Sequence, residues 1–177
     1  MAQTKRNIIL CGFMGCGKST VGKKLSKLTG LDFVDMDDYI EQNAGMKISR
    51  IFEKYGESHF RDLEHRAAVE LSRRGGCVVA TGGGALTFQR NVDALKKGGT
   101  IVLLDTPLRV LQLRLKNDKN RPLLQRPDRQ RFIRELHRQR LPRYRKAADV
   151  VVPAKGSPNA VCRQVLEALQ EKSLTKG

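Results

Sequence analysis

Residues Gly12-Phe13-Met14-Gly15-Cys16-Gly17-Lys18-Ser19 fill every fixed position of the pattern G-x-x-x-x-G-K-[ST]. The pattern requires a strand that ends abruptly, a loop whose backbone N–H groups turn inward, and a helix starting at the same point. The chain supplies that context. An apolar run, Asn7–Cys11, precedes the loop, and Val21, Leu25 and Leu28 follow at helical spacing. Inward N–H groups and a helix N-terminus both favour a phosphate. Lys18 is expected to bridge the β- and γ-phosphates of a nucleotide, and the Ser19 hydroxyl to ligate Mg²⁺. Gly15, Cys16, Gly17 and Thr20 complete the expected phosphate cradle. A plain Gly-rich turn is the alternative, and the strand–loop–helix context argues against it.

Four more short apolar runs follow, at Asp32–Met36, Cys77–Thr81, Thr100–Asp105 and Asp149–Pro153. Most are nearly continuous in Val, Ile and Leu, which is how strands buried on both faces of a parallel sheet read. Amphipathic stretches lie between them, such as Leu63, Ala67 and Leu71, or Val161, Val165 and Leu169. This alternation predicts an α/β fold. No linker or repeat divides the 177 residues, so one domain is expected. Two inserts, Asp37–Arg61 and Asn117–Asp128, read as irregular, and long connections are often functional.

No apolar stretch reaches the roughly 18–20 residues that span a bilayer. The polar, basic start is followed by too short an apolar run for a signal peptide. A cytoplasmic protein without a membrane partner is expected. Cys11, Cys16, Cys77 and Cys162 form no C-x-x-C pair, and Cys11 and Cys77 read as reduced buried thiols. His59, His65 and His137 have no ligand partner at i+4, which argues against a metal held by His or Cys.

The formal net charge of +16 is uneven. Residues 31–70 carry ten acids against five bases, whereas residues 107–147 carry fourteen Lys+Arg against three acids. Such a tract suits either a nucleic-acid face or a site for small polyanions. With no Trp, three Tyr and six Phe, stacking on single strands is a weak mechanism.

Chemistry-bearing residues recur beyond the phosphate loop. The second run ends Asp35-Met36-Asp37-Asp38. Carboxylates at a parallel strand's C-terminal end face the crevice above the sheet. There one can order Mg²⁺ waters near Ser19 and another can accept a substrate hydroxyl proton. Helix capping by Asp37 or Asp38 is the competing reading. Gly56-Glu57-Ser58-His59-Phe60-Arg61, then Thr81-Gly82-Gly83-Gly84, Arg121-Pro122-Leu123-Leu124 and Arg140-Leu141-Pro142-Arg143-Tyr144 follow in order, the last ending a long basic helix. Successive glycines at a strand's end let another group approach the backbone.

Each of these segments is weak alone. In this order, from Gly12 to Tyr144, the chain resembles the shikimate kinase family over nearly its whole length. The resemblance implies a three-layer phosphate-loop kinase fold, with a five-stranded parallel sheet in the order 2-3-1-4-5 flanked by helices. It implies an inserted substrate-binding region at about residues 33–61 and a lid at about 114–128. It implies transfer of the ATP γ-phosphoryl group to the 3-hydroxyl of shikimate, on the route to chorismate and the aromatic amino acids. Carried over by motif, Asp37 contacts the substrate hydroxyl and Asp35 lies near the metal. Arg61 and Arg140 bind the substrate carboxylate, and Gly82 and Gly83 offer backbone contacts. Arg121 reaches the phosphates from the lid, Arg114 packs by the adenine, and the adenine loop falls on Ala154–Pro158, with Ser157 its candidate contact. Lys18, Asp37 and Arg121 form the expected catalytic set.

Two departures stand out. Arg143 occupies a position where the family more often has Leu, and the tract Arg126–Arg145 is unusually basic for it. Two other readings remain open at this point. One is a gluconate-type small-molecule kinase, since gluconate is also a hydroxylated carboxylate. The other is a nucleotide-gated nucleic-acid-binding protein resting on the basic tract. No sequence-specific nucleic acid is expected as a partner, and a monomer is.

Overall fold

The computed structural model describes residues 6–175. The opening residues 1–5, part of the basic start considered above, lie outside the described residues. Five strands form one parallel sheet: β1 (Asn7–Cys11), β2 (Asp32–Asp35), β3 (Cys77–Ala80), β4 (Gly99–Asp105) and β5 (Val150–Pro153). Their order is β2-β3-β1-β4-β5, as the resemblance implied. Every residue of β1 and β3 is buried. Successive side chains point to opposite faces of a sheet, so both faces must be covered. The edge strands differ. β2 is only partly buried, because it has a neighbour on one side alone.

Seven helices flank the sheet: α1 (Lys18–Thr29), α2 (Met36–Ala44), α3 (Ile48–Arg74), α4 (Gln89–Gly98), α5 (Leu108–Leu115), α6 (Arg129–Ala147) and α7 (Pro158–Leu174). α1 packs with α7, and α3 with α4. The buried Asn7 ties strands to helix at the bottom of the sheet. Its amide nitrogen donates to the Leu71 carbonyl at 2.8 Å, and its oxygen accepts from the Cys77 amide at 2.9 Å. All four cysteines are free and buried. Burial pushes the Cys11 thiol up to about 12, so it stays protonated.

The reading of residues 37–61 as irregular is corrected: they are helical, in α2 and the first part of α3. Gly45, at φ 67°, ends α2. Gly56, at φ 82° and ψ 172°, breaks α3 internally in a conformation reserved for glycine. These breaks, with many polar positions, hide the helical period. The second insert is irregular as read, and holds one 3₁₀ turn, Pro122–Leu124. α6 also continues past Arg140–Tyr144, through Pro142 to Ala147. Proline in a helix interior removes a hydrogen bond. Buried Tyr144 and Ala147 hold the last turns against the core.

Candidate active site

The loops that follow β1 and β3 and the start of α2, which follows β2 directly, meet above the C-terminal ends of those strands. Gly15 and Gly17 adopt φ values of 80° and 94°, so the phosphate loop bends as its glycines allow. Lys18 Nζ lies over that loop, donating to the Gly12 carbonyl at 2.6 Å and to that of Phe13 at 3.3 Å. The Ser19 hydroxyl donates to Asp35 Oδ2 at 3.2 Å. The other Asp35 oxygen accepts the Asp37 amide at 3.0 Å and the Asp38 amide at 3.2 Å. Asp35 is therefore the cap of α2, and the reading that gave capping to Asp37 or Asp38 is corrected. One carboxylate bridges the phosphate loop to α2 and holds Asp37 in place.

Asp37 lies beside the triple glycine. A Cβ on Gly82 would fall 2.7 Å from Asp37 Oδ1, so a side chain there would push the Asp37 carboxylate out of its place. Burial, with Asp35 nearby, raises the Asp37 carboxyl to about 6, against the pull of Lys18. Arg61 and Arg140 reach the next two glycines. A Cβ on Gly83 would sit 3.3 Å from Arg140 Nη1, and one on Gly84 3.0 Å from Arg61 Nη1. The Tyr144 hydroxyl donates to the Gly83 carbonyl. Its burial pushes the Tyr144 hydroxyl up to about 12, so it remains a donor.

Arg61 is held from several sides. Nη1 donates to both oxygens of Glu64, at 3.0 and 3.2 Å, and Nε and Nη2 face Glu57 at 3.4 and 3.3 Å. The guanidinium also stacks near the rings of Phe60 and Phe88, at 5.2 and 4.9 Å. Glu64 is buried, and burial pushes its carboxyl up against the pull of Arg61. Asn91 donates to Glu64 at 3.4 Å and meets His65 Nδ1 through its own oxygen at 3.0 Å. Sequence reasoning passed over Glu64, Asn91 and Phe88. Glu64 was detectable in principle, since it lies one helical turn after Arg61. Asn91 and Phe88 come from a distant segment and carry no local signal.

A cleft of about 360 Å³ is lined by Gly15, Gly17, Lys18, Ser19, Thr20, Asp35, Asp37, Gly82, Gly83 and Arg121, together with Met14 and Thr81, while Arg61 and Arg140 lie outside this lining at the far glycines of the triplet. Arg121 is half-exposed and pairs with Asp118. Burial works upward on Asp118. The amides of Asn120 and Arg121 and the Arg121 guanidinium outweigh it and hold the carboxyl below the usual range. A second cavity, also about 360 Å³, lies across the phosphate loop and is lined by Cys16, Thr20, Arg114, Ala154, Gly156 and Pro158 among others. Arg114 Nη1 donates to the Gly15 carbonyl at 2.9 Å. Ser157 lies outside that lining: its hydroxyl caps α7 by accepting the Ala160 amide at 3.2 Å. Arg129 anchors the segment between, donating to the carbonyls of Leu124 at 2.7 Å and Lys116 at 2.6 Å.

The oxygen donors of Ser19 and Asp35 suit Mg²⁺, which takes few protein ligands and completes its shell with phosphate oxygens and water. Among the described residues, no group of three or more His, Cys, Asp or Glu could hold a metal.

One cavity against the phosphate loop suits a flat base, and the adjoining cleft brings the Asp37 carboxylate and the Arg121 guanidinium towards the same lysine. That division of space defines the class: a phosphate-loop phosphotransferase acting on a small molecule. The chain belongs to the shikimate kinase family, whose model matches residues 14–170. A shikimate kinase of Halorhodospira halophila is 46% identical over 169 residues, 95% of this chain and 96% of that protein. The structure of a shikimate kinase from Acinetobacter baumannii in complex with shikimate is 40% identical, with TM-score 0.88, over 97% of this chain and 96% of that one. A gluconokinase from Sinorhizobium meliloti 1021 aligns at TM-score 0.61 and 16% identity, over 98% and 96% of the two chains, which shows the shared fold alone. The gluconate-type reading is thus not favoured.

Proposed function

We propose that this protein transfers the γ-phosphoryl group of ATP to the 3-hydroxyl of shikimate, releasing 3-phosphoshikimate and ADP. The observation that carries this reading is the convergence of Arg61, Arg140 and Asp37 on one glycine triplet beside Lys18. A planar carboxylate matches a guanidinium fork, and a ring hydroxyl matches a partly buried carboxylate. Family membership, and a relative whose structure holds shikimate, support the same substrate.

In this reading Arg61 and Arg140 hold the substrate carboxylate, and the Gly82 and Gly83 backbone contacts the ring. Asp37 accepts a hydrogen bond from the attacking hydroxyl and then its proton. An acceptor raised to about 6 is still ionised at neutral pH and is poised for proton uptake. Gly15, Cys16, Gly17 and Thr20 cradle the phosphates, and Lys18 and Arg121 stabilise charge spread over the transferring group. Arg114 and the loop around Ser157 flank the base. Mg²⁺, held by Ser19 and water near Asp35, would neutralise charge on the β- and γ-phosphates. Residues 33–61 act as the substrate-binding region. Residues 114–128 act as a lid whose closure excludes water and limits wasteful hydrolysis. The protein works as a cytoplasmic monomer of one domain. Among the described residues, no helix is long and apolar enough to cross a membrane.

The direct test is ADP release from Mg-ATP in a coupled assay, with shikimate, with gluconate, and with neither. Release is expected to depend on shikimate, and Lys18→Ala is expected to abolish it while leaving the thermal melt intact. Stimulation by gluconate alone would overturn the substrate assignment. Undiminished turnover in Lys18→Ala would overturn the role of the phosphate loop.

A further inference from the structure

The basic excess of residues 107–147 is only partly used by the site. Arg114, Arg121 and Arg140 belong to it, Arg129 holds carbonyls, and Arg145 turns back onto Asp105 at 2.9 Å. Nine of the fourteen bases remain; three of them, Arg131, Arg134 and Arg138, are exposed on α6, and Arg138 donates to Glu135 at 2.6 Å. At about 100° per residue these three fall within about 60° of one another. They form a ridge roughly opposite Arg140 and the buried Ile133. A helix is about 10 Å across, beyond the screening length of about 8 Å at physiological salt. The ridge therefore contributes little to drawing ATP or shikimate into the cleft.

The ridge begins beside a second feature. An open groove of about 950 Å³ runs along the lid segment itself and the start of α6, lined by Lys116, Lys119, Arg126, Asp128 and Gln130 among others. Gln130 lines the groove and is followed directly by Arg131, the first residue of the ridge. Leaving aside Arg129, which is turned onto carbonyls, groove and ridge thus form one surface with six bases, Lys116, Lys119, Arg126, Arg131, Arg134 and Arg138, against two acids, Asp128 paired with Arg126 and Glu135 paired with Arg138.

We propose that this surface docks duplex DNA through its phosphates, without sequence preference. Arginine forks match phosphate oxygens, and the net of four positive charges gives the contact its strength. A protein partner would need a central apolar or aromatic anchor. None of the exposed large apolar side chains among the described residues lies on α6. Single strands are bound by stacking on open aromatic rings. Here Phe132 lies under the Arg126 guanidinium at 4.3 Å and Tyr144 is buried. A helix ridge fits the major groove of B-form DNA, which is about 12 Å wide, whereas the deep, narrow groove of duplex RNA excludes it.

The test is fluorescence anisotropy of the full chain with a labelled random-sequence DNA duplex across a salt series. A dissociation constant of about 10⁻⁴–10⁻⁶ M is expected at physiological salt. The slope of log affinity against log salt is expected near −3.6, for about four phosphates neutralised. The triple variant R131Q/R134Q/R138Q is expected to bind at least about tenfold more weakly at low salt, with a slope shallower by about 2.7. Its thermal melt and ADP release should match wild type, since none of the three belongs to the site. Equal affinity of variant and wild type, or binding insensitive to salt, would overturn the proposal. So would tighter binding of an equal-length single strand, of duplex RNA, or of phosphatidylserine vesicles.

Discussion

Arg61 faces two carboxylates of different worth. Its pair with exposed Glu57 contributes little, whereas its pair with buried Glu64 shields a charge that water cannot reach. Arg140 sits at the same glycine triplet, but among the described residues the buried Glu64 is paired with Arg61 and Arg140 forms no ion pair. The two arginines should therefore respond differently to removal. Arg61→Ala and Arg140→Ala are both expected to raise KM for shikimate, each losing about 2–5 kcal/mol of carboxylate binding, with KM for ATP little changed. Only Arg61→Ala should also lower Tm, because Glu64 is left buried without its guanidinium. Steady-state kinetics and a thermal melt check the pair, and a rise in KM for ATP instead would move these residues to the nucleotide side. The arginines were legible from their motifs. Glu64 as the support of Arg61 was not, because burial is set by what α4 and the glycine turn pack against it.

At the scale of elements, the closest approach lies between α3 and α4. A Cβ on Gly98 would fall 2.1 Å from the Ser72 carbonyl oxygen, a backbone atom that cannot swing aside. Gly98→Ala is expected to cost at least about 1–3 kcal/mol, as overpacking does. At this chain length that lowers Tm by about 2–4 °C per kcal/mol, readable by calorimetry. Nothing in the local sequence marks Gly98 as different from Gly99, and only the packing of two helices separates their roles from those of loop glycines. Strands were more legible. Each apolar run predicted its strand to within a residue or two, because burial on both faces demands an unbroken apolar stretch. Helices α2 and the start of α3 were missed, since glycine breaks at Gly45 and Gly56 interrupt the period that reveals a helix.

Across the whole molecule, assembling the site leaves a cost at Asp37. Its carboxyl is raised to about 6 from an ordinary value of 3.8, so the folded state holds a proton that the unfolded chain has released between those values. Stability therefore falls as pH rises through that window, and stays reduced above it. Asp37→Asn should be more stable than wild type at pH 8 by about 1–2 kcal/mol, an advantage lost on acidification towards pH 4. The same variant should lack phosphoryl transfer, and wild-type kcat/KM should decline below about pH 6 as Asp37 gains its proton. Melts across pH, set beside pH–rate profiles, check both. Equal stability of the two forms at pH 8 would show that Asp37 is not held under electrostatic strain.

Local order along the chain was enough to identify the phosphate loop and the parallel strands, because each rests on spacing between near neighbours, whereas Arg61, Arg121 and Arg140 were singled out only by the order of motifs along the whole chain. The Asp35 bridge from Ser19 to the α2 amides, the support of Arg61 by Glu64 and Asn91, and the outward ridge of α6 were decided only by folding. They depend on segments far apart in sequence meeting at one end of a sheet, and on which side of each helix the core takes up. Periodicity shows that a helix has two faces, but only packing against the sheet selects which one is dry.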